Sequence, residues 1–204
     1  MKKLIIIALF FISYNLYGDY WEKVGNLPKG AVKAIEYDVQ NNIIYSAIEG
    51  EGIFKSTNKG ESWDSISNEK LVRSVKVNAQ GTVFAGLNGG GVIRSTNRGA
   101  DWMDVNDGLS NTNVTCLHIA DNGNIYAGTW FYGSVFMSTN NGDTWNSIGV
   151  NDVDIRNVYV TPTGRILVGT HHEGLFRSDD GGKNWEKDYQ FYGKDTYAFT
   201  ADNS

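Results

Sequence analysis

The stretch Ser138-Thr139-Asn140-Asn141-Gly142-Asp143-Thr144-Trp145 decides the fold, because three further versions of it occur in this chain of 204 residues. All versions share a leading Ser, a Gly at the fifth position and a closing Trp, and the others occupy 56–63, 95–102 and 178–185. Their tryptophans follow one another at intervals of about 40 residues. Self-similarity at a fixed period of this size predicts a repeat architecture.

Short runs typical of β-strands surround each copy of this octapeptide. In the third repeat they lie at 117–119, 125–128 and 135–137, and a fourth run begins at Trp145. Runs of β-branched and aromatic residues, separated by Gly and Asn, are typical of strands joined by tight turns. Four short antiparallel strands per repeat form one blade of a β-propeller. The sequence therefore predicts an all-β propeller of four-stranded blades, with repeats at about 29–66, 71–105, 112–148 and 153–188.

The two ends of the chain predict one further, split blade. Trp21 stands about one repeat before Trp63, so 19–24 has the pattern of a last strand, whereas 196–204 has the pattern of a first strand. We expect these two segments to share a blade that lacks its middle strands. Either the ring is open or the chain is a fragment of a longer protein, and the fragment is favoured because an open arc exposes strand edges and an apolar face.

The octapeptide resembles the Asp-box, the Ser-x-Asp-x-Gly-x-Thr-Trp signature of sialidase-type (BNR) repeats. It is similar in this respect to the photosystem II assembly-factor-like and sortilin-like exported repeat proteins. Asn58, Asn97 and Asn140 replace the Asp of the signature, and only Asp180 keeps it. The resemblance implies a structural motif that lies away from the functional face of the propeller.

Each position of the octapeptide has a structural purpose. Ser and Asn or Asp side chains accept hydrogen bonds from backbone N–H groups of a turn, Gly supplies a positive φ, and Trp covers apolar area between blades. The residues expected in these structural roles are Ser56, Asn58, Gly60, Trp63, Ser95, Asn97, Gly99, Trp102, Ser138, Asn140, Gly142, Trp145, Ser178, Asp180, Gly182 and Trp185.

The N-terminal residues predict export. Lys2 and Lys3 precede an apolar run, and Gly18 offers a small residue at a cleavage point, which together are typical of a signal peptide at 1–18. We expect a secreted or periplasmic protein with no membrane contact beyond this signal. A formal net charge of −5 and the lack of a basic run argue against a nucleic-acid partner. Cys116, the single cysteine, is expected to be a buried hydrophobic residue rather than a reactive thiol.

One loop between the second and third strands differs from the others. In the third repeat this loop carries Trp130-Phe131-Tyr132, where the first, second and fourth repeats have short Gly-containing loops. Aromatic residues of this kind suit a sugar face or a protein partner. The alternative is that the rings cap the core.

Charged and imidazole side chains share this face. Lys33, Arg73 and Arg156 occupy one position at the start of the first strand, where they could hold an anion or could be solvated charges balanced by acidic neighbours. His171 and His172 complete the candidate ligand-binding set. Adjacent residues on a strand point to opposite faces, so these two are a poor metal chelate unless the loop bends. We expect no metal site and no cofactor.

Two interpretations of function stay open. The first is an exported, non-catalytic propeller that binds a protein or a glycan, as the resemblance implies. The second is a glycoside hydrolase of the sialidase or xyloglucanase type. Sialidases hold the substrate with three arginines, one of them in an Arg-Ile-Pro motif, and neither Pro28 nor Pro162 follows Arg-Ile here. The binding protein is therefore the favoured hypothesis.

Overall fold

A computed structural model describes residues 25–199, and these residues confirm the predicted all-β propeller fold. They form four antiparallel sheets of four strands each, with strands in sequential order within each sheet. Blade one comprises β1 (Val32–Asp38), β2 (Ile43–Ile48), β3 (Gly52–Ser56) and β4 (Asp64–Ser67). Blade two comprises β5 (Val72–Val77), β6 (Val83–Leu87), β7 (Gly91–Ser95) and β8 (Met103–Asp104). Blade three comprises β9 (Val114–Ile119), β10 (Ile125–Thr129), β11 (Val135–Ser138) and β12 (Asn146–Gly149). Blade four comprises β13 (Ile155–Val160), β14 (Ile166–Thr170), β15 (Leu175–Ser178) and β16 (Glu186–Asp188), and a short 3-10 helix follows at Tyr189–Phe191.

The core lies between the blades rather than inside any one of them. Tyr45 of blade one packs in one cluster with Val75 of blade two, and Phe84 of blade two packs with Leu117 of blade three. Strands β6 and β10 are buried along their whole length because neighbouring blades cover both of their faces. Apolar burial between consecutive blades therefore holds the repeats together.

The octapeptides form the turns between the third and fourth strands. In blade three, Ser138 Oγ accepts a hydrogen bond from the Gly142 N–H at 2.9 Å, and Asn140 Oδ1 accepts one from the Thr144 N–H at 2.9 Å. The other three turns repeat both bonds at distances of 2.7–2.9 Å. Gly142 has a φ of 87°, a left-handed conformation that favours glycine.

The tryptophans of the turns bridge adjacent blades. The indole nitrogens of Trp102, Trp145 and Trp185 donate to backbone carbonyls in the outer part of the preceding blade, at 2.9, 2.8 and 2.7 Å, and the acceptors are Ile66, Val105 and Ile148. Within their own turns, Trp63 donates to the Gly60 carbonyl and Trp185 also donates to the Gly182 carbonyl, both at 3.1 Å. The motif thus fixes a turn within one blade and also fixes a contact between two adjacent blades.

The four blades form an arc with one open face, not a closed ring. Ile35 of blade one is 42% exposed, whereas the residues at the same register in the other blades, Val75, Leu117 and Val158, are 0–3% exposed. This difference arises because each of the other three positions is covered by the preceding blade. The uncovered face borders a cavity of about 470 Å³ that includes Ser46 and Trp63.

Parts of the expected split blade and the signal peptide lie outside the described residues. Gly25, which would follow the expected strand at 19–24, lies against the Trp63 ring just as Gly149 lies against the Trp185 ring. At the other end, Thr196 lies against Gly169 as Ile155 lies against Gly128. The shared blade therefore stays a prediction, with neighbouring residues at both ends in the positions it requires.

Two further features belong to the described part of the chain. Cys116 is buried, and this burial raises the pKa of its thiol to about 11, as expected for a packed rather than a reactive thiol. Among residues 25–199 there is no helix with the length and hydropathy that a membrane crossing requires.

Candidate functional site

A β-bulge at the start of each first strand shapes one face of the arc. The pairing between first and second strand skips one residue in every blade, and the residues skipped are Lys33, Arg73, Thr115 and Arg156. A bulge redirects the side chain of its extra residue away from the regular alternation. The shared sequence position of these residues is therefore also a shared structural position.

A second set of equivalent residues lies beside the bulges. Directly after each second strand, one residue donates its backbone N–H at 2.9 Å to a carbonyl just before the first strand of the same blade. These residues are Glu49, Asn88, Trp130 and His171. Each blade therefore brings one bulge residue and one loop residue to the same end of the sheet, which we call the loop face.

Lys33 and Arg73 meet on the loop face at a shared acidic partner. Glu49 Oε2 lies 2.7 Å from Lys33 Nζ, and Glu49 Oε1 lies 2.9 Å from an Arg73 guanidinium nitrogen. The hydrogen bond from Lys33, helped by the charge of Arg73, holds the pKa of Glu49 below its ordinary value. Lys33 and Arg73 are therefore balanced by Glu49, and they lie in blades one and two rather than beside the aromatic loop.

Arg156 lies at the centre of the other half of the loop face. Its guanidinium carbon is 3.9 Å from the centroid of the Trp130 ring in the preceding blade. One of its terminal nitrogens is 3.1 Å from His171 Nδ1 in its own blade. The Trp130 and His171 rings are themselves 5.2 Å apart. Trp130, Arg156 and His171 thus form one contiguous cluster.

Phe131 and Tyr132 have 61% and 84% of their surface exposed, and the Phe131 ring lies edge to face against the Trp130 ring at a centroid distance of 6.2 Å. Both have positive φ values, 58° and 56°, so the loop is sharply bent where they stand. Asn111 holds the bend by donating from Nδ2 to the carbonyls of Trp130 and Phe131 at 2.9 and 3.1 Å. The aromatic triplet therefore consists of one packed ring and two exposed rings on a braced loop.

His171 and His172 lie together instead of pointing apart. His172 has a φ of 65°, so the loop bends there and brings the two ring centroids to 3.8 Å. Both imidazoles face Asp195, whose Oδ1 is 2.9 Å from His171 Nδ1 and 3.4 Å from His172 Nδ1. Tyr197 donates its hydroxyl to Asp195 Oδ2 at 2.7 Å, and this bond, followed by the contacts with the histidines, lowers the pKa of Asp195 to about 2.

Sequence reasoning missed Asp195 and Tyr197. Tyr197 lies in the segment 196–204 that has the pattern of a first strand, and Asp195 directly precedes it, but that pattern does not indicate a contact with the His171 loop. A second cavity, of about 490 Å³, lies near His118 and the turns that follow the first strands. It contains none of the candidate residues, and burial lowers the pKa of His118 to about 4.

Comparisons with known proteins agree with a propeller repeat. The profile of the family described as "Two component regulator propeller" matches residues 108–131, which contain β9 and β10. No curated protein matches the chain. The matched segment is one hairpin of one blade.

Solved structures give the same fold over most of the chain. A GH74 xyloglucanase from Xanthomonas campestris is 16% identical over 75% of this chain and 29% of its own, with a TM-score of 0.65. YCF48 bound to a D1 peptide is 18% identical over 89% of this chain and 62% of its own, with a TM-score of 0.65. A chain of a nidogen/laminin complex is 12% identical over 84% of this chain and 69% of its own, with a TM-score of 0.68. The chain thus spans less than two thirds of the xyloglucanase and of YCF48, and the likeness to all three shows a β-propeller fold.

Proposed function

We propose that the chain belongs to an exported, non-catalytic propeller that binds a segment of another protein on its loop face. The observation that carries this proposal is the pair of exposed rings, Phe131 and Tyr132, on a loop braced by Asn111. Exposed aromatic residues held in a fixed conformation lose little entropy on binding and are enriched among the residues that dominate protein interfaces. Arg156, His171 and His172 lie beside them and offer polar contacts.

We favour a protein ligand over a glycan for two reasons. Arg156 covers one face of the Trp130 ring, and a sugar needs such a face for stacking. YCF48 with its D1 peptide and the nidogen/laminin complex are propeller-containing neighbours that are seen with peptide or protein partners. Their likeness to this chain supports a protein as the class of partner and does not identify a particular protein.

A glycoside hydrolase is the second candidate, because GH74 xyloglucanases are among the structural neighbours. A glycosidase needs a carboxylic acid with a raised pKa as its proton donor. In the part of the chain that the structure describes, the carboxyl groups whose pKa is shifted are Glu49, Asp179, Asp180 and Asp195, and each is shifted downward. Release of reducing sugar from xyloglucan by the purified protein would favour the enzyme.

The structural motif and the cellular location are part of the same proposal. The bonds of the leading Ser and the third residue to backbone N–H groups support an Asp-box type of turn in which Asn takes the place of Asp. The charged start and apolar run at 1–18 support cleavage near Asp19 and release to the periplasm or the medium.

The test is selection of binding peptides from a random library on the purified protein, followed by titration of the best peptide. The double variant Phe131→Ala/Tyr132→Ala should bind it with a loss of about 2 kcal/mol or more. Tyr37→Ala, which removes an exposed ring from β1, is the matched control and should bind as the parent does. Equal binding by parent and double variant would contradict the proposal, and binding to a glycan array alone would replace the protein ligand by a sugar.

A further inference from the structure

We propose that His171, His172 and Asp195 bind a divalent transition-metal ion. One ligand atom from each of these side chains lies within 4.8 Å of the other two. Asp195 Oδ1 is 2.9 Å from His171 Nδ1 and 3.4 Å from His172 Nδ1. Ligands of a tetrahedral ion with bonds of about 2.1 Å lie about 3.4 Å from one another. The two measured spacings are close to this value, and the third pair lies within 4.8 Å, so the three atoms can reach one shared ion after small side-chain rotations.

The backbone builds this arrangement without help from an ion. Two adjacent residues of a regular strand would point to opposite faces, but the φ of 65° at His172 turns its ring toward that of His171. The His172 N–H donates to Asp195 Oδ1 at 3.0 Å, and the Gly193 N–H donates to the His172 carbonyl at 2.6 Å. The ligand atoms are thus held together by bonds between the His172 loop and the segment after blade four.

Hydrogen bonds orient the Asp195 carboxylate as a ligand would need to be oriented. The His172 N–H binds its Oδ1 at 3.0 Å, so the carboxylate has a fixed position beside the imidazoles. The Tyr197 hydroxyl binds Oδ2 and leaves Oδ1 directed toward the imidazoles. Metal-bound carboxylates and histidines are commonly oriented by such outer hydrogen bonds.

His171 Nδ1 has two neighbours whose demands conflict. Arg156 can only donate, so its nitrogen at 3.1 Å requires a lone pair on Nδ1, whereas the Asp195 oxygens at 2.9 and 3.0 Å require a proton there. Neither neutral tautomer satisfies both. A cation bound between Nδ1 and Oδ1 uses the lone pairs of both atoms, so the contact with Asp195 no longer requires a proton on Nδ1, and the Arg156 donor is displaced from that nitrogen.

Arg156 is the group that opposes the ion. Its nitrogen lies 3.8 Å from Asp195 Oδ2, so its positive charge is close to the proposed site. The stacking of its guanidinium on Trp130 gives Arg156 a position that does not depend on the bond to His171. Removing its charge should therefore strengthen metal binding, which a merely structural cluster would not show.

The chemistry of the ligands selects the class of ion. Imidazole nitrogen with one carboxylate suits Zn²⁺, Cu²⁺ and Ni²⁺, whereas Ca²⁺ and Mg²⁺ prefer sites made of oxygen atoms. Three protein ligands leave at least one coordination position for water or for a donor atom of a ligand. The proposal does not rest on the proposed function, because metal binding is measured without any peptide.

The first experiment is calorimetric titration of Zn²⁺ into chelator-treated protein purified without a polyhistidine tag. We expect one ion per chain, and we expect His172→Ala and Asp195→Asn each to weaken binding at least about tenfold. Glu173→Gln is the matched control, because Glu173 is in the same loop but pairs with Lys187, and it should bind Zn²⁺ as the parent does. Lack of saturable binding, or full binding by His172→Ala, would overturn the proposal.

Two further measurements keep the test independent of how the variants fold. Cu²⁺ bound to the unmodified protein should show imidazole nitrogen couplings in its electron paramagnetic resonance spectrum, and a spectrum without them would overturn the site. Arg156→Gln should bind Zn²⁺ more tightly than the parent. Weaker binding by Arg156→Gln would contradict an ion at His171 Nδ1.

Discussion

The indole nitrogen of Trp145 donates a hydrogen bond to the backbone carbonyl of Val105, 2.8 Å away in the preceding blade. The same relationship recurs between Trp185 and Ile148 at 2.7 Å. In both pairs the acceptor belongs to the outer edge of a neighbouring sheet. The last residue of the turn motif therefore fixes the position of one blade relative to the next.

Loss of this bond should destabilise the fold even when an aromatic ring is kept at this position. Trp145→Phe leaves the Val105 carbonyl without its indole donor, and we expect the free energy of unfolding to fall by about 1–3 kcal/mol. Denaturant titration followed by circular dichroism measures the change. Tyr37→Phe is the comparison, since it removes an exposed hydroxyl that donates to Asn42 within blade one, and its loss should be the smaller one. An unchanged unfolding free energy in Trp145→Phe would refute a bridging role.

Asp180 should give the fourth turn a pH dependence through the third position of the motif, where the other three turns have Asn. Hydrogen bonds from the backbone and side chain of Asn184, and from Ser178, lower the pKa of Asp180 from 3.8 to about 2. A lowered pKa in the folded state means that the stabilisation is present above about pH 4 and is lost as the pH falls through about 2. The stability difference between the parent and Asp180→Asn should therefore shift against the parent over this interval, as measured by urea midpoints.

The reverse exchange provides the control for that prediction. Asn140 occupies the position of Asp180 in the third turn and binds the Thr144 N–H in the same way. Asn140→Asp should add an acid-dependent loss of stability of the same sign. Parallel pH profiles for the parent and both variants would show that the third position of the turn does not titrate in this interval.

The repeat and its blades could be predicted from the sequence because single residues determine the conformation of each turn. Ser138, Asn140 and Gly142 each make a local bond or adopt a local conformation that a pattern of eight residues specifies. Strand ends were harder to place. β1 begins at Val32 although its apolar signal is clearest from Ile35, because the bulge at Lys33 interrupts the alternation there.

The candidate site could be predicted only in part. Trp130 was recognisable because the third repeat differs from the other repeats in this loop. Arg156 was recognisable because it shares a repeat position with Lys33 and Arg73. Their stacking depends on how two blades pack, which no local pattern encodes. The approach of His172 to Asp195 depends on a left-handed residue and on a segment beyond the last repeat, so neither could be inferred from strand periodicity.

The rings of the aromatic loop should differ in how much they contribute to the stability of the fold. Tyr132→Ala removes a ring that is 84% exposed, so the free energy of unfolding should change by less than about 0.5 kcal/mol. Trp130→Ala removes the ring that stacks on Arg156 and should cost more, with about 0.5–2 kcal/mol from the lost cation–π contact alone. Thermal melting of both variants tests this order, and equal melting temperatures would mean that the stacking contributes nothing to stability.

Export should be visible in the mass of the mature protein. Expression of the full chain in a bacterial host should yield a periplasmic or secreted species that begins near Asp19, because the segment before it has the charge and hydrophobicity of a signal peptide. Mass spectrometry of the purified protein checks this. Recovery of the peptide at 1–10 from the mature product would contradict it.

Burial of the core between blades gives this chain the thermodynamics of a linear stack. In the described residues the first strands meet in series, β1 with β5, β5 with β9 and β9 with β13. Stability in such a stack is a sum of units and of interfaces between neighbours. Blades two and three each have two interfaces to break, so backbone amides of β6 and β10 should exchange with deuterium more slowly than those of β2. Ile35 is exposed where its equivalents are buried, so among the described blades blade one should open first in such an exchange experiment.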